Sequence, residues 1–315
     1  MKTPLNSRIF RQILVSLLSI TLVTACASLQ AQERSLPKQQ TSYGDDYGKL
    51  NDQGHLRTYY LYTPKSYNSD RPMPLVFVFH GHGGSGHSIA EVTRFNDLAE
   101  QKGFIVVYPD GINHDWTLRG SSRRNIDDVS FVTALLDHLK QSRKIDSHRI
   151  YATGFSKGAI LAQDLACELP DQFAAFASVA GSLPTRIIPT CKATTPVSML
   201  MINGTNDLSV HYEGDAKNLS IPKTVDFWRS HDQCPSSAQV QQLPDPNPRD
   251  RFKVNISRYP DCRDSSEVML AAVVNGGHFW PGSVSQDESI KQFNTNLAFN
   301  ASQMIWEFFN RHSLP

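Results

Sequence analysis

From Leu56 onward the chain alternates short apolar runs with stretches in which apolar residues recur every three or four positions. Residues 75–79 (LVFVF) are continuously apolar, as a strand buried on both faces of a parallel sheet requires. Further strands are predicted over 57–62, 104–108, 149–153, 197–202 and 268–274. Between them the period is helical. A helix is predicted over 89–101, with Ser88 and Glu91 spaced as a capping box, and another over 128–141, where Val129, Val132, Leu135, Leu136 and Leu139 share one face. Asp127 and Asp128 suit the N-terminal dipole of that helix and are read as its start. Others are predicted over 157–169, ended by Pro170, over 223–231, and over 301–311, capped by Asn300 and Gln303. Repetition of this kind predicts an α/β fold in which a mostly parallel central sheet carries helices on both faces. One domain over 51–315 suits the length.

The beginning of the chain has a different pattern. Lys2, Arg8 and Arg11 precede an apolar run over 13–23 that is too short to span a bilayer, so residues 1–31 are expected to be an export signal. Val23-Thr24-Ala25-Cys26 has the form of a bacterial lipobox, which makes Cys26 a candidate lipid acceptor; ordinary cleavage after Ala27 or Ala31 is the alternative. Residues 32–50 are polar without period and are expected to be a flexible tether. The mature chain is thus expected to be exported: periplasmic, anchored to the membrane only through lipid, or secreted.

A formal net charge of +1 leaves no basic excess to neutralise a polyanion, so no nucleic-acid partner is expected. Cys26 apart, the cysteines are Cys167, Cys191, Cys234 and Cys262, an even number bound for an oxidising compartment. Four cysteines allow three pairings. Sequential pairing, Cys167 with Cys191 and Cys234 with Cys262, closes loops of about 24 and 28 residues, each worth roughly 3 kcal/mol, and is the expected one. There is no CxxC or HxxxH, and the loop that holds His80, His82 and His87 contains no acidic residue, so no metal is expected.

Gly154-Phe155-Ser156-Lys157-Gly158 has the Gly-x-Ser-x-Gly form of a nucleophile elbow. The bare pattern is weak, but here it lies between an apolar strand and an amphipathic helix, the context the motif demands. A serine hydroxyl needs an adjacent base, and the base needs an orienting carboxylate. Asp207 lies just past the predicted strand ending at Ile202, and His278 just past the one ending at Val274. Ser156, Asp207 and His278 therefore form a candidate triad in the order such a fold uses. The tetrahedral intermediate needs two N–H donors. The candidates are the Lys157 amide and the His82 amide, the latter in the loop His80-Gly81-His82-Gly83-Gly84. Trp116, Tyr212, Phe279 and Trp280 lie in loops on the same side and either wall a substrate pocket or are buried as packing.

Residues 75–84 (LVFVFHGHGG), 103–111 (GFIVVYPDG), 145–158 (IDSHRIYATGFSKG), 165–175 (LACELPDQFAA), 202–207 (INGTND) and 276–282 (GGHFWPG) together resemble the esterase family of polyhydroxybutyrate depolymerases and the related feruloyl and acetylxylan esterases. The resemblance implies an α/β-hydrolase fold and a serine carboxylic ester hydrolase that needs no cofactor, expected to be polyhydroxybutyrate depolymerase-like, with a feruloyl or acetylxylan esterase as the alternative. It also implies the same triad, the same oxyanion amides and sequential disulfides. The expected partner is an ester, either a hydroxyalkanoate oligomer or an aromatic or acetyl ester of a polysaccharide. Two positions depart from the family pattern: His82 stands where Cys is frequent, and Lys157 where the residue is usually neutral. A serine peptidase and a non-catalytic surface binding protein are the contrasting readings.

Overall fold

The computed structural model describes residues 43–120, 126–244, 252–283 and 299–315. The export signal expected over 1–31, with Cys26, lies outside them. Ten strands form one sheet in the order β1-β2-β4-β3-β5-β6-β7-β10-β9-β8. They are β1 (Gly44–Asp52), β2 (His55–Thr63), β3 (Met73–Phe79), β4 (Ile105–Pro109), β5 (Ile145–Phe155), β6 (Ala175–Val179), β7 (Met199–Gly204), β8 (Gln239–Gln242), β9 (Lys253–Tyr259) and β10 (Val268–Val274). The six central strands β4-β3-β5-β6-β7-β10 are parallel, and antiparallel pairs close both edges.

Period-two alternation splits the core into two layers, one on each face of the sheet. Leu75, Phe77 and Phe79 face a layer with Leu135 and Leu136 of α3 (Asp128–Ser142), Leu161 and Leu165 of α4 (Lys157–Glu168) and Trp228 of α5 (Ile221–His231). Val76 and Val78 face the other layer, with Ile89 of α1 (Gly86–Thr93), Phe95 of α2 (Phe95–Lys102) and Ile305 and Trp306 of α6 (Ala301–Phe309). Burying each such side chain contributes ~1.5–3 kcal/mol. Cys167 is bonded to Cys191, and Cys234 to Cys262.

The structure corrects three expectations. The single helix over 89–101 is two helices, broken at Arg94 with φ 53°. At about 100° per residue, one continuous helix would turn Phe95, Leu98 and Ala99 away from the face of Ile89, Ala90 and Thr93. Breaking it lets both sets reach the core, where all six are buried. The capping box belongs to Ser85 and Ser88 rather than to Ser88 and Glu91. The tether expected over 32–50 also ends early, because β1 starts at Gly44. Asp52 pairs with His55 across Gln53 and Gly54, both at positive φ, the geometry of a two-residue hairpin turn that matches strand twist. That turn folds a polar segment onto β2.

Where β10 begins, Glu267 is buried and binds Arg258 of β9, with Arg311 and His312 beyond α6 completing the network. Burial alone would raise its carboxyl, but the His312 ring 3.5 Å away, the hydrogen bonds from Arg258 and the Arg311 charge hold it down to about 2. Such a depressed carboxylate stabilises the fold fully above its unfolded value near 4.5 and loses that contribution as pH falls toward 2. The contribution is on the order of 3 kcal/mol. Glu267→Gln is therefore expected to lower urea stability at pH 7 and to flatten its decline between pH 4.5 and 2.5. A decline as steep as in the wild type would show that other carboxylates set it.

Candidate active site

β5 runs out at Phe155 and α4 begins at Lys157, so Ser156 alone makes the turn, at φ 55° and ψ −117°. This strained backbone survives because its surroundings fix it. A Cβ on Gly154 would come within 2.4 Å of the Gly158 carbonyl, and one on Gly158 within 2.4 Å of the Phe79 oxygen. Glycine at both positions lets β5, α4 and the end of β3 meet around the serine.

The ends of β7 and β10 bring up the other two candidates. Their loops are stitched together by Asn206 N–H to Gly276 O (2.8 Å), Thr205 N–H to Val273 O (2.9 Å) and Asn275 N–H to Thr205 Oγ1 (2.8 Å). Asp207 is buried, and its Oδ1 accepts the Ser209 and Val210 amides at 2.8 Å each. Its Oδ2 lies 2.7 Å from His278 Nδ1, and His278 Nε2 lies 3.0 Å from Ser156 Oγ. A carboxylate only accepts, so Nδ1 carries the proton and Nε2 is left to accept from the serine hydroxyl. The Phe155 ring packs on the imidazole with centroids 4.9 Å apart.

The loop after β3 passes over the elbow: a Cβ on Gly81 would lie 3.3 Å from Ser156 Cβ. His80 is buried beneath this loop. Its Nδ1–H donates to Gly81 O (2.7 Å) and its Nε2 accepts from Gly111 N–H (3.0 Å). Burial, the main cause, lowers its pKa and keeps the ring neutral, as this pairing requires. The His82 and Lys157 amides donate no hydrogen bond among the described residues. Of the three histidines weighed for metal, His82 pairs with Asp115 (3.0 Å) and His87 with the Tyr47 hydroxyl (3.2 Å), while His80 is held as above.

The expected wall of four aromatics is corrected in part. Trp116 is fully buried, its ring 4.6 Å from His80 and its Nε1–H donating to His80 O (2.7 Å), so it supports the loop from below. Trp280 is also buried, against Phe95, and donates to Ser302 Oγ (3.0 Å). Tyr212 and Phe279 stay half-buried, each packed on one core layer.

Two residues escaped the sequence reading. Leu208, next to Asp207, is 81% exposed, an apolar side chain offered to solvent beside the triad. Asp115 is buried and bonds both His82 and Lys157. Nothing in the sequence around Asp115 announces the pairing, since both partners are distant in the chain.

The family model described as "Esterase PHB depolymerase" matches residues 57–193. The chain is 26% identical over 271 residues to feruloyl esterase D of Neurospora crassa, covering 82% of this chain and 83% of that one. It is 29% identical over 202 residues to the bifunctional acetylxylan esterase/xylanase XynS20E of Neocallimastix patriciarum, covering 62% of this chain but only 27% of that longer protein. The fold matches that of an acetyl xylan esterase from Aspergillus awamori with a TM-score of 0.57 at 17% identity, over 79% of this chain and 98% of that one. The chain is thus a carboxylic ester hydrolase of the α/β-hydrolase type, akin to the polyhydroxybutyrate depolymerase esterases and to the feruloyl and acetylxylan esterases.

Proposed function

We propose that this is an exported serine hydrolase that cleaves carboxylic esters through an acyl-enzyme. The observation that carries the reading is the hydrogen-bonded chain from Ser156 Oγ through His278 to Asp207. His278 takes the serine proton as Oγ adds to the ester carbonyl, and the resulting oxyanion accepts from the His82 and Lys157 amides. On collapse the C–O bond to the alcohol breaks, and His278 returns the proton to the departing alkoxide. Water then enters, gives its proton to His278, adds to the acyl carbon and expels Ser156, which recovers the proton. This sequence of proton and acyl transfers calls on no metal or organic cofactor.

The two disulfides support an oxidising compartment. They fit the leader read over 1–31, with Cys26 as lipid acceptor. For the acyl group, the family match supports a hydroxyalkanoate ester, and the relatives named feruloyl and acetylxylan esterases support an aromatic or acetyl ester. Of these we favour the aromatic ester, because the match to feruloyl esterase D extends over most of both chains.

The test is kcat/KM on methyl ferulate, on a soluble 3-hydroxybutyrate oligomer and on acetylated xylan. Methyl ferulate is expected to lead by at least ~10-fold, the discrimination a shaped apolar pocket supplies. Preference for the oligomer would make the chain a depolymerase-type enzyme. Cleavage of a peptide panel with all three esters left intact would overturn the ester assignment.

A further inference from the structure

The short turn after β4 grips the loop that passes over the elbow. His114 O accepts from Gly83 N–H (2.8 Å), His114 Nδ1–H donates to Gly84 O (2.9 Å), and Trp116 Nε1–H donates to His80 O (2.7 Å). Between them stands Asp115, its side chain only 6% exposed. Its Oδ1 lies 3.0 Å from His82 Nδ1 and 2.6 Å from Lys157 Nζ, which also lies 2.7 Å from Oδ2. His82 and Lys157 are the two residues whose amides are the candidate oxyanion donors. They also stand at the two positions where the chain departs from its family pattern. Both departures therefore end on one buried carboxylate.

We propose that Asp115 is a positioning residue of the oxyanion hole, tying the loop that carries the His82 amide to the elbow that carries the Lys157 amide. This inference rests on the serine-hydrolase reading above. It follows from how such a hole works: two donors are effective only if held at fixed separation before the oxyanion forms. Here they belong to segments far apart in sequence. Backbone bonds fix each segment to its own neighbours, and the Asp115 carboxylate joins the two through their side chains. Burial would raise this carboxyl, but hydrogen bonds from Lys157 and His82 outweigh it and hold the group below the usual range, so the carboxylate is held in its charged form at neutral pH. Lys157 is paired in the same contact, so it does not face the ester as a free cation.

The alternative role for Asp115 is simply to neutralise Lys157, and it predicts the opposite sign. Removing Asp115 would then free a cation beside the developing oxyanion and raise kcat. A tether predicts a fall.

The experiment measures kcat and KM on 4-nitrophenyl acetate, together with inhibition by a boronic acid whose tetrahedral adduct directs an oxygen into the hole. Wild type is compared with Asp115→Ala, Lys157→Ala, His82→Ala, the double variant at 82 and 157, and the triple variant. Asp115→Ala is expected to lower kcat ~10–100-fold with KM within ~3-fold, and to weaken the boronic acid by a similar factor, as loss of preorganised donors does. Because Asp115 acts through the other two, the triple variant should be within ~2-fold of the double. Wild-type or raised kcat in Asp115→Ala, or a triple variant far below the double, would overturn the proposal.

Should Asp115→Ala fail to fold, the half-exposed Lys157 decides. Lys157→Ala is expected to lose ~3–10-fold in kcat with its Tm unchanged, and wild-type kcat in both it and His82→Ala would overturn the proposal. Turnover retained by Ser156→Ala would remove the serine mechanism and this inference with it. An inactive Ser156→Ala beside a fully active Asp115→Ala would remove this inference alone.

Discussion

Ser156→Ala is expected to lower kcat on any ester substrate by on the order of 10⁵-fold or more while leaving the fold intact. The Oγ, the proposed attacking atom, is the only heavy atom lost. The strained turn at φ 55° depends on Gly154 and Gly158 and on the packing around them, none of which the substitution touches. Alanine keeps the Cβ, so backbone strain is the same in both proteins. A residual rate above water is expected, because donors at the hole still polarise a bound carbonyl. The measurement is kcat of purified variant and wild type on the preferred ester, with labelling by a fluorophosphonate probe. Loss of labelling together with loss of turnover identifies Ser156 as the nucleophile. Retention of more than ~1% of wild-type kcat, in variant protein shown to be free of wild-type enzyme and other esterases, would mean that another group attacks.

The sequence made this residue legible for a physical reason. A nucleophile on a sharp turn needs glycine on both sides, and glycine leaves a visible mark. Asp207 and His278 are legible because each follows a strand buried on both faces, and such strands read as unbroken apolar runs. The same logic exposes β3, β4, β7 and β10. It fails for β6 (AFASV), a buried strand whose two alanines and serine carry little strand preference. β1 (GDDYGKLND) and β8 (QVQQ) are edge strands with little apolar surface to bury, so what makes them strands is pairing to a neighbour. β9 was readable: Val254 and Ile256 alternate with polar residues as a strand half-buried on one face requires.

Aromatic side chains misled for a related reason. Trp116 and Trp280 sit in loops on the catalytic side, but sequence does not say which way a loop residue turns. Their indole N–H groups find buried acceptors, His80 O and Ser302 Oγ, which lets both rings enter the core at no polar cost. Leu208 turns the other way. Asp115 shows the deeper limit. Its role depends on two partners, one 33 residues before it and one 42 after it, and only the folded sheet brings β3, β4 and β5 close enough for one carboxylate to reach both.

Asp207→Asn is expected to cost ~10⁴-fold in kcat at neutral pH, equivalent to about 5.5 kcal/mol of transition-state stabilisation, with little change in KM. The size follows from how the carboxylate is held. Its Oδ1 already accepts two amides, from Ser209 and Val210, and its Oδ2 accepts from His278 Nδ1. An asparagine must place its carbonyl oxygen where those two amides donate, because an NH₂ group there would face donors with a donor. Its NH₂ then points at His278 Nδ1, which must accept, and the imidazole proton moves to Nε2. That is the atom 3.0 Å from Ser156 Oγ. A protonated Nε2 cannot take the serine proton, so the base is present, correctly placed and in the wrong tautomer. The check is kcat and KM on the preferred ester together with the ¹⁵N shifts of the His278 ring. A variant within tenfold of wild-type kcat would mean that another group sets the tautomer. Loss of kcat with the proton still on Nδ1 would assign the effect to the lost negative charge rather than to the tautomer.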